Sequence, residues 1–179
     1  MNLPSVTQVL SPYADFSMVP PDVLEAAADR GSKVHAICAG IALGEWVPKP
    51  PPELSGYVNS FRHWFQYVDQ VWLVEEELVD QAYGFKGHPD LAVTLIGDED
   101  FIRVVDLKTP ATKTPTWAAQ IAAYNRLVGI KLPKQQVRRS GTLRLRKDGR
   151  PPIFDECQDS ARDFLAFLSA LSAWKYFKG

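Results

Sequence analysis

Along the N-terminal part of the chain, apolar residues recur at intervals of three and four, the repeat of one face of an α-helix. The stretch PPDVLEAAADRGSKVHAICAGIAL (20–43) opens on proline, which suits a helix start, and carries Val23, Leu24, Ala27, Val34 and Ile37 at helical spacing. Gly31 inside it marks a break or a close packing contact. A second helix is predicted over ELSGYVNSFRHWFQYVDQV (53–71), with Tyr57, Phe61, Trp64, Phe65 and Val68 forming an aromatic-rich stripe that reads as core. The intervening PKPPPE (48–53) is a stiff connector. From Trp72 the repeat shortens. WLVEEELVD (72–80), HPDLAVTLIG (88–97) and FIRVVDLKT (101–109) predict three strands, the last two joined as a hairpin by GDED (97–100). Helical spacing returns in TPTWAAQIAAYNRLVG (114–129), with Trp117, Ile121, Tyr124 and Leu127 at helical intervals and Gly129 as the stop. QQVRRSGTLRLRKDGRPPIFDEC (135–157) predicts two strands around KDGRPP. DSARDFLAFLSALSAWKYF (159–177) predicts an amphipathic helix starting at Asp159 or Ser160.

Helices, three strands, a helix, strands and a helix, in that order, predict an α/β sandwich around a mixed sheet. At 179 residues the expectation is one domain, helical over about 1–70, with the sheet and its flanking helices over about 71–179. No run of apolar residues is long enough to span a membrane, and the first residues lack the pattern of a signal peptide. Two cysteines, Cys38 and Cys157, are too few for a disulfide scaffold, a four-cysteine zinc site or an iron–sulfur cluster. A reduced, cytoplasmic protein is therefore expected. The net charge of −1 is unevenly spread: Lys131 to Arg150 carries about +7 and the rest about −8. That basic segment is either a surface that tracks phosphates or a solvated hairpin.

The chemistry concentrates in two short stretches. In RVVDLKTP (103–110), strand alternation puts Asp106 and Lys108 on one face and Leu107 on the other. In KGHPDLAV (86–93), Asp90 stands where the preceding strand begins. If the two strands pair, Asp90 and Asp106 lie near each other, and the repulsion between two carboxylates is relieved by a divalent cation. Metal, carboxylates and a lysine are the parts that phosphodiester hydrolysis needs.

These stretches resemble the PD-(D/E)XK nuclease superfamily, in its branch of RecB-like exonucleases. HPD (88–90) and DLK (106–108) match the two core motifs. RGSKVH (30–35) is similar to the helix motif that ends in histidine, VEEEL (74–78) to the acidic strand before the first aspartate, and QIAAY (120–124) to the Q-x-x-x-Y helix motif. The five occur in the family's order from about residue 30 to residue 125.

The resemblance implies a restriction-endonuclease-like core and a metal-dependent DNA nuclease, with an exonuclease favoured by the histidine and the Q-x-x-x-Y helix. A structure-selective or restriction-type endonuclease, and a catalytically silent nucleic-acid-binding module, are the alternatives. It implies Mg²⁺ or Mn²⁺ held by Asp90, Asp106, the Leu107 carbonyl and His35, with imidazole making Mn²⁺ at least as suitable as Mg²⁺. Lys108 would orient or help deprotonate the attacking water. Glu75 aligns best with the family's strand glutamate, with Glu76 and Glu77 competing for the role. Gln120 and Tyr124, four apart on one helix face, would contact the substrate or brace the site. Arg138, Arg139, Arg144 and Arg146 would contact substrate phosphates, with Arg144 and Arg146 sharing a face if the strand alternates through both. His63 and His88 look incidental. The expected partner is DNA, together with a recombination or helicase protein if the chain is one subunit of a larger machine. Small stand-alone members of this branch process DNA ends in phages and prophages. The iron–sulfur cluster of some relatives is excluded by the cysteine count.

Overall fold

A computed structural model describes residues 3–15, 17–109 and 113–178. Among the described residues three α-helices precede the sheet, α1 (Val6–Leu10), α2 (Pro21–Ala42) and α3 (Pro52–Phe65), with a 3₁₀ turn at Ser11–Tyr13 after the first. The strands β1 (Val68–Val74), β2 (Leu78–Asp80), β3 (Phe85–Gly87), β4 (Leu91–Leu95) and β5 (Asp98–Lys108) follow. Then come α4 (Thr116–Lys131), β6 (Gln136–Val137), β7 (Gly141–Arg144), β8 (Ile153–Glu156) and α5 (Ser160–Lys178).

The main sheet runs in the order β1-β4-β5-β7-β8, with β6 also pairing β5. β5 lies antiparallel to β4 and parallel to β6 and β7, so the sheet is mixed as the element order predicts. Alternation along β5 decides which helices lie on which face. Ile102 and Val104 pack with α1, α4 and α5, whereas Val105 and Leu107 pack with α2 and α3. Both faces are therefore covered, and β5 is buried on each side. Among the described residues no helix is long and apolar enough to cross a membrane.

The departures from the sequence pattern have local causes. The aromatic stripe continues in register from α3 into β1, so the spacing carries no mark of the helix end at Phe65. The run 72–80 is two strands in two sheets, because Glu75 takes a left-handed backbone (φ +44°) and turns the chain out of β1. β2 then pairs with β3 in a separate two-stranded sheet, and β3 carries no alternation that would reveal it. The hairpin between β4 and β5 turns at Ile96 and Gly97, the latter at φ +82°, and Glu99 and Asp100 already belong to β5. Gly31 breaks nothing: α2 runs through it, and a side chain there would meet only Thr109 Oγ1, at an ordinary 3.8 Å. Gly129 is no stop either, since α4 continues to Lys131. Helix α1, too short to show a repeat, is fixed by a capping box in which Ser5 and Gln8 each bond the other's backbone N–H.

Candidate metal centre

β5 outruns β4 at the end where the two aspartates stand. Leu91 pairs with Val105, which brings Asp90, just before β4, beside Asp106 and Leu107. With no further β4 rung available, the Leu107 N–H donates to Asp90 Oδ2 at 2.6 Å. The N–H and C=O of a strand residue point to the same edge, so the Leu107 carbonyl also faces this gap. The carbonyl of Asp90 accepts from the Glu75 N–H at 3.0 Å, which anchors the left-handed residue at the end of β1.

α2 brings His35 to the same place, its Nδ1 3.3 Å from Asp90 Oδ1. Burial lowers the imidazole pKa, but the Asp90 carboxylate, aided by Asp106, outweighs it and leaves the pKa raised. One potential ligand atom each from His35, Glu75 and Asp90 lie within 4.8 Å of one another. Glu75, which aligns with the family's strand glutamate, is thus itself one of the potential ligands. Its two competitors are engaged elsewhere: Glu76 with Lys131, and Glu77 with Lys86 and His88.

Asp106 is only 2% exposed. Burial pushes its carboxyl pKa up to about 6; Asp90 adds to the rise and the ammonium of Lys108 opposes it. Lys108 Nζ lies 2.6 Å from Asp106 Oδ2, an ion pair without the alignment of a hydrogen bond, and no other described donor reaches that oxygen. The same ammonium donates to Gln120 Oε1 at 3.1 Å and sits 5.8 Å from the centre of the Trp117 ring. Gln120 Nε2 in turn donates to Tyr124 Oη at 3.2 Å, and burial raises the tyrosine pKa. The helical spacing of Gln120 and Tyr124 therefore builds a chain of contacts behind Lys108.

His35, Asp90, Asp106, Lys108, Gln120 and Tyr124 line one cavity of about 270 Å³, together with Ser5 to Thr7 of the α1 region. One imidazole and several carboxylates, one of them buried and offset only by the Lys108 ammonium, form a donor set that fits a divalent cation. His88, incidental by sequence, stands at this cavity too, while His63 is exposed near the end of α3. Trp117 escaped sequence reading because its spacing from Gln120 marks only a helix face, and nothing in the chain tells a core tryptophan from one lying against an ammonium.

The basic segment divides in two. Arg138 lies over Phe101, its guanidinium 5.0 Å from the ring centre, and Arg139 pairs with Asp98 at 3.2 Å. The Arg138 N–H bonds Ile102, which is six residues, or about 20 Å of strand, from Lys108. Arg144 instead pairs in register with Lys108, with its Nε 2.6 Å from Asp155 Oδ2. Arg146 lies beyond the end of β7, bound to Asp148 at 2.8 Å. Arg144 and Arg146 line one cavity but pair with different acids. In comparisons with known proteins, no family model and no curated protein matches the chain.

Proposed function

We propose that the chain is a divalent-metal-dependent deoxyribonuclease of the PD-(D/E)XK superfamily, of the RecB-like exonuclease kind, built on a restriction-endonuclease-like core. One observation carries the reading: Asp106 and Lys108, an acid and a base one residue apart, share a cavity with Asp90 and His35 at the end of two paired strands. A solvated edge pair would not be buried, nor would a second aspartate and a histidine converge on it.

In this reading His35, Glu75, Asp90, Asp106 and the Leu107 carbonyl are the groups available to hold Mg²⁺ or Mn²⁺. Once bound, such an ion supplies Lewis acidity towards a phosphate oxygen and lowers the pKa of a water. The chain's own contribution is positional. Lys108, steered by Gln120 and Trp117, holds the attacking water and offsets charge gathering on phosphorus as one P–O bond forms and another breaks. Tyr124, kept neutral by burial, braces Gln120. The departing oxygen takes up a proton as the strand is cut.

End-labelled linear DNA and closed circular DNA, single- and double-stranded, incubated with Mg²⁺, Mn²⁺ or EDTA, test the proposal. Short products from linear substrates alone are expected. Cutting of circles makes the chain an endonuclease. Binding without cutting reduces it to a silent module, and equal cutting in EDTA removes the metal from the mechanism.

A further inference from the structure

Two cavities next to the metal site have walls that include cations to which no role has yet been given, Arg30 of the RGSKVH stretch and Lys147. One, of about 340 Å³, is lined by Thr109, the residue after Lys108, and by Tyr57, Arg146 and Lys147. The other, of about 270 Å³, is lined by Arg30 and Lys33 of α2, and again by Tyr57 and Lys147. The shared residues make them neighbours, and α2 connects them to the metal site. Arg30 precedes His35 by five residues, about 7.5 Å along the helix axis, and Gly31 faces Thr109.

The cations here are not equivalent. Lys33 is paired with Asp29, and Arg146 with Asp148. Arg30 and Lys147 have no ion-pair partner among the described residues. The Arg30 guanidinium lies 5.9 Å from the Tyr57 ring centre, and its Nε is buried without a hydrogen-bond partner. The ring fixes the guanidinium, and its remaining N–H groups are left for an acceptor. Lys147 is held in place by its backbone: its carbonyl lies so close to Gly56 that any side chain there would meet it at 1.7 Å. Asp29 and Glu53 line the second cavity as well, but Asp29 is taken up by Lys33, and neither acid pairs with Arg30 or Lys147. A guanidinium held against a ring and an ammonium on an anchored stretch of backbone, both left without an ion pair near a proposed phosphodiester-cutting site, suit the next phosphate of the same strand.

We propose that Arg30 and Lys147 form a phosphate subsite that grips the backbone of a single DNA strand a nucleotide or two from the bond being cut. The assignment rests on the nuclease reading for its ligand. Cavities of this size hold one phosphate and the sugar beside it, so the subsite follows one strand at a time, and competition by duplex tells whether that strand must be unpaired. The subsite also divides the basic residues by role, since Arg138 and Arg139 lie at the far end of β5 and take no part.

The test is the anisotropy of a short fluorescein-labelled oligothymidylate, titrated in EDTA across a salt series so that cleavage plays no part. Each phosphate contact on a single strand contributes about 0.7 to the slope of log affinity against log salt. Arg30→Gln with Lys147→Gln should lower the slope by about 1.4 and weaken low-salt binding roughly tenfold. Arg138→Gln with Arg139→Gln should leave the slope unchanged. Lys147 is exposed, so Lys147→Gln alone, expected to give about half the loss, guards against misfolding of the pair. The subsite is overturned if the unaltered chain does not bind the probe, if the first pair leaves the slope unchanged, or if both pairs lower it equally. It is overturned as a single-strand site if duplex of the same length competes equally. Binding that depends on Arg30 and Lys147 without cleavage under any metal would sink the nuclease reading and spare the subsite. Cleavage with an unchanged slope would do the reverse.

Discussion

Lys108 is the residue on which the proposed chemistry turns, and three groups restrain it: Asp106, Gln120 and the ring of Trp117. Replacing it with alanine should lower turnover by about 10²–10⁴-fold, the usual worth of a positioned proton-transfer group. Calorimetry should show Mn²⁺ affinity nearly intact, because the lysine is not a ligand; loss of binding along with the side chain would give Lys108 a structural role instead. Trp117→Leu keeps the core apolar but removes the ring face, and should slow turnover about tenfold, in line with a cation–π contact shielded from water. At this scale the acids and the lysine were legible, because strand alternation and an Asp-Leu-Lys spacing are enough to place them. The tryptophan was not, since its contact joins residues on different elements.

Among the elements, the β2–β3 ribbon shows how a small sheet is tied to the body. Asp80, 1% exposed, accepts from the Tyr83 N–H at 3.0 Å and from Arg126 Nε of α4 at 2.9 Å. Burial raises its pKa, but these donors outweigh that and leave it below the ordinary aspartate value. A lowered carboxyl pKa stabilises the fold above the unfolded value, near 3.9, and that stability is lost as pH falls through the folded value. Asp80→Asn should therefore cost about 1–3 kcal/mol at pH 7, and the gap from the unaltered protein should close below about pH 4. Urea denaturation at pH 7 and pH 3 checks the sign; a gap of equal size at both would remove the charge from the explanation. Gly56→Ala sets propensity against space. Alanine gains about 0.5–1 kcal/mol in a helix interior, but the new methyl would meet the Lys147 carbonyl at 1.7 Å, and forcing backbone aside costs about 1–3 kcal/mol. Destabilisation is the expected result, read from the urea midpoint. The ribbon itself was hidden from the sequence, where the Leu78–Asp80 strand looks like the tail of β1 until the turned backbone at Glu75 separates them.

Across the whole molecule, the candidate ligands come from four separate places: His35 from α2, Glu75 from just after β1, Asp90 from the segment before β4, and Asp106 with the Leu107 carbonyl from β5. An ion bound there would tie helix to sheet and so stabilise the fold as well as serve the site. At a hundred times its dissociation constant, Mn²⁺ should add about 2.7 kcal/mol, which for a chain of this size raises Tm by roughly 5–10 °C. His35→Ala should abolish the rise measured by calorimetry; an undiminished rise would place the ion elsewhere. The layered α/β arrangement followed from the order of helical and strand-like runs, which local patterning records. Strand order and the division of the basic segment depend on contacts between distant residues, and periodicity is blind to those.

The parallel pairing of β5 with β7 has a consequence in time. β4 and β5 are joined by a two-residue turn, so their pairing, with both aspartates, can close within about 1–10 μs of reaching free solution. β7 begins some thirty residues after β5 ends, with α4 between them, and at a synthesis rate of about 5–20 residues per second it emerges seconds later. Throughout that interval the inner edge of β5, bearing Val104 and Val105, has no strand beside it, and an open apolar edge invites another chain to pair. In refolding followed by pulsed hydrogen exchange, the amide of Val105, paired with β4, should gain protection before that of Leu145, which bonds the Lys108 carbonyl. The two acids would then be in place before the strand that seals the sheet beside them, and a nascent chain would pass through its most adhesive state with the centre of its site already half assembled.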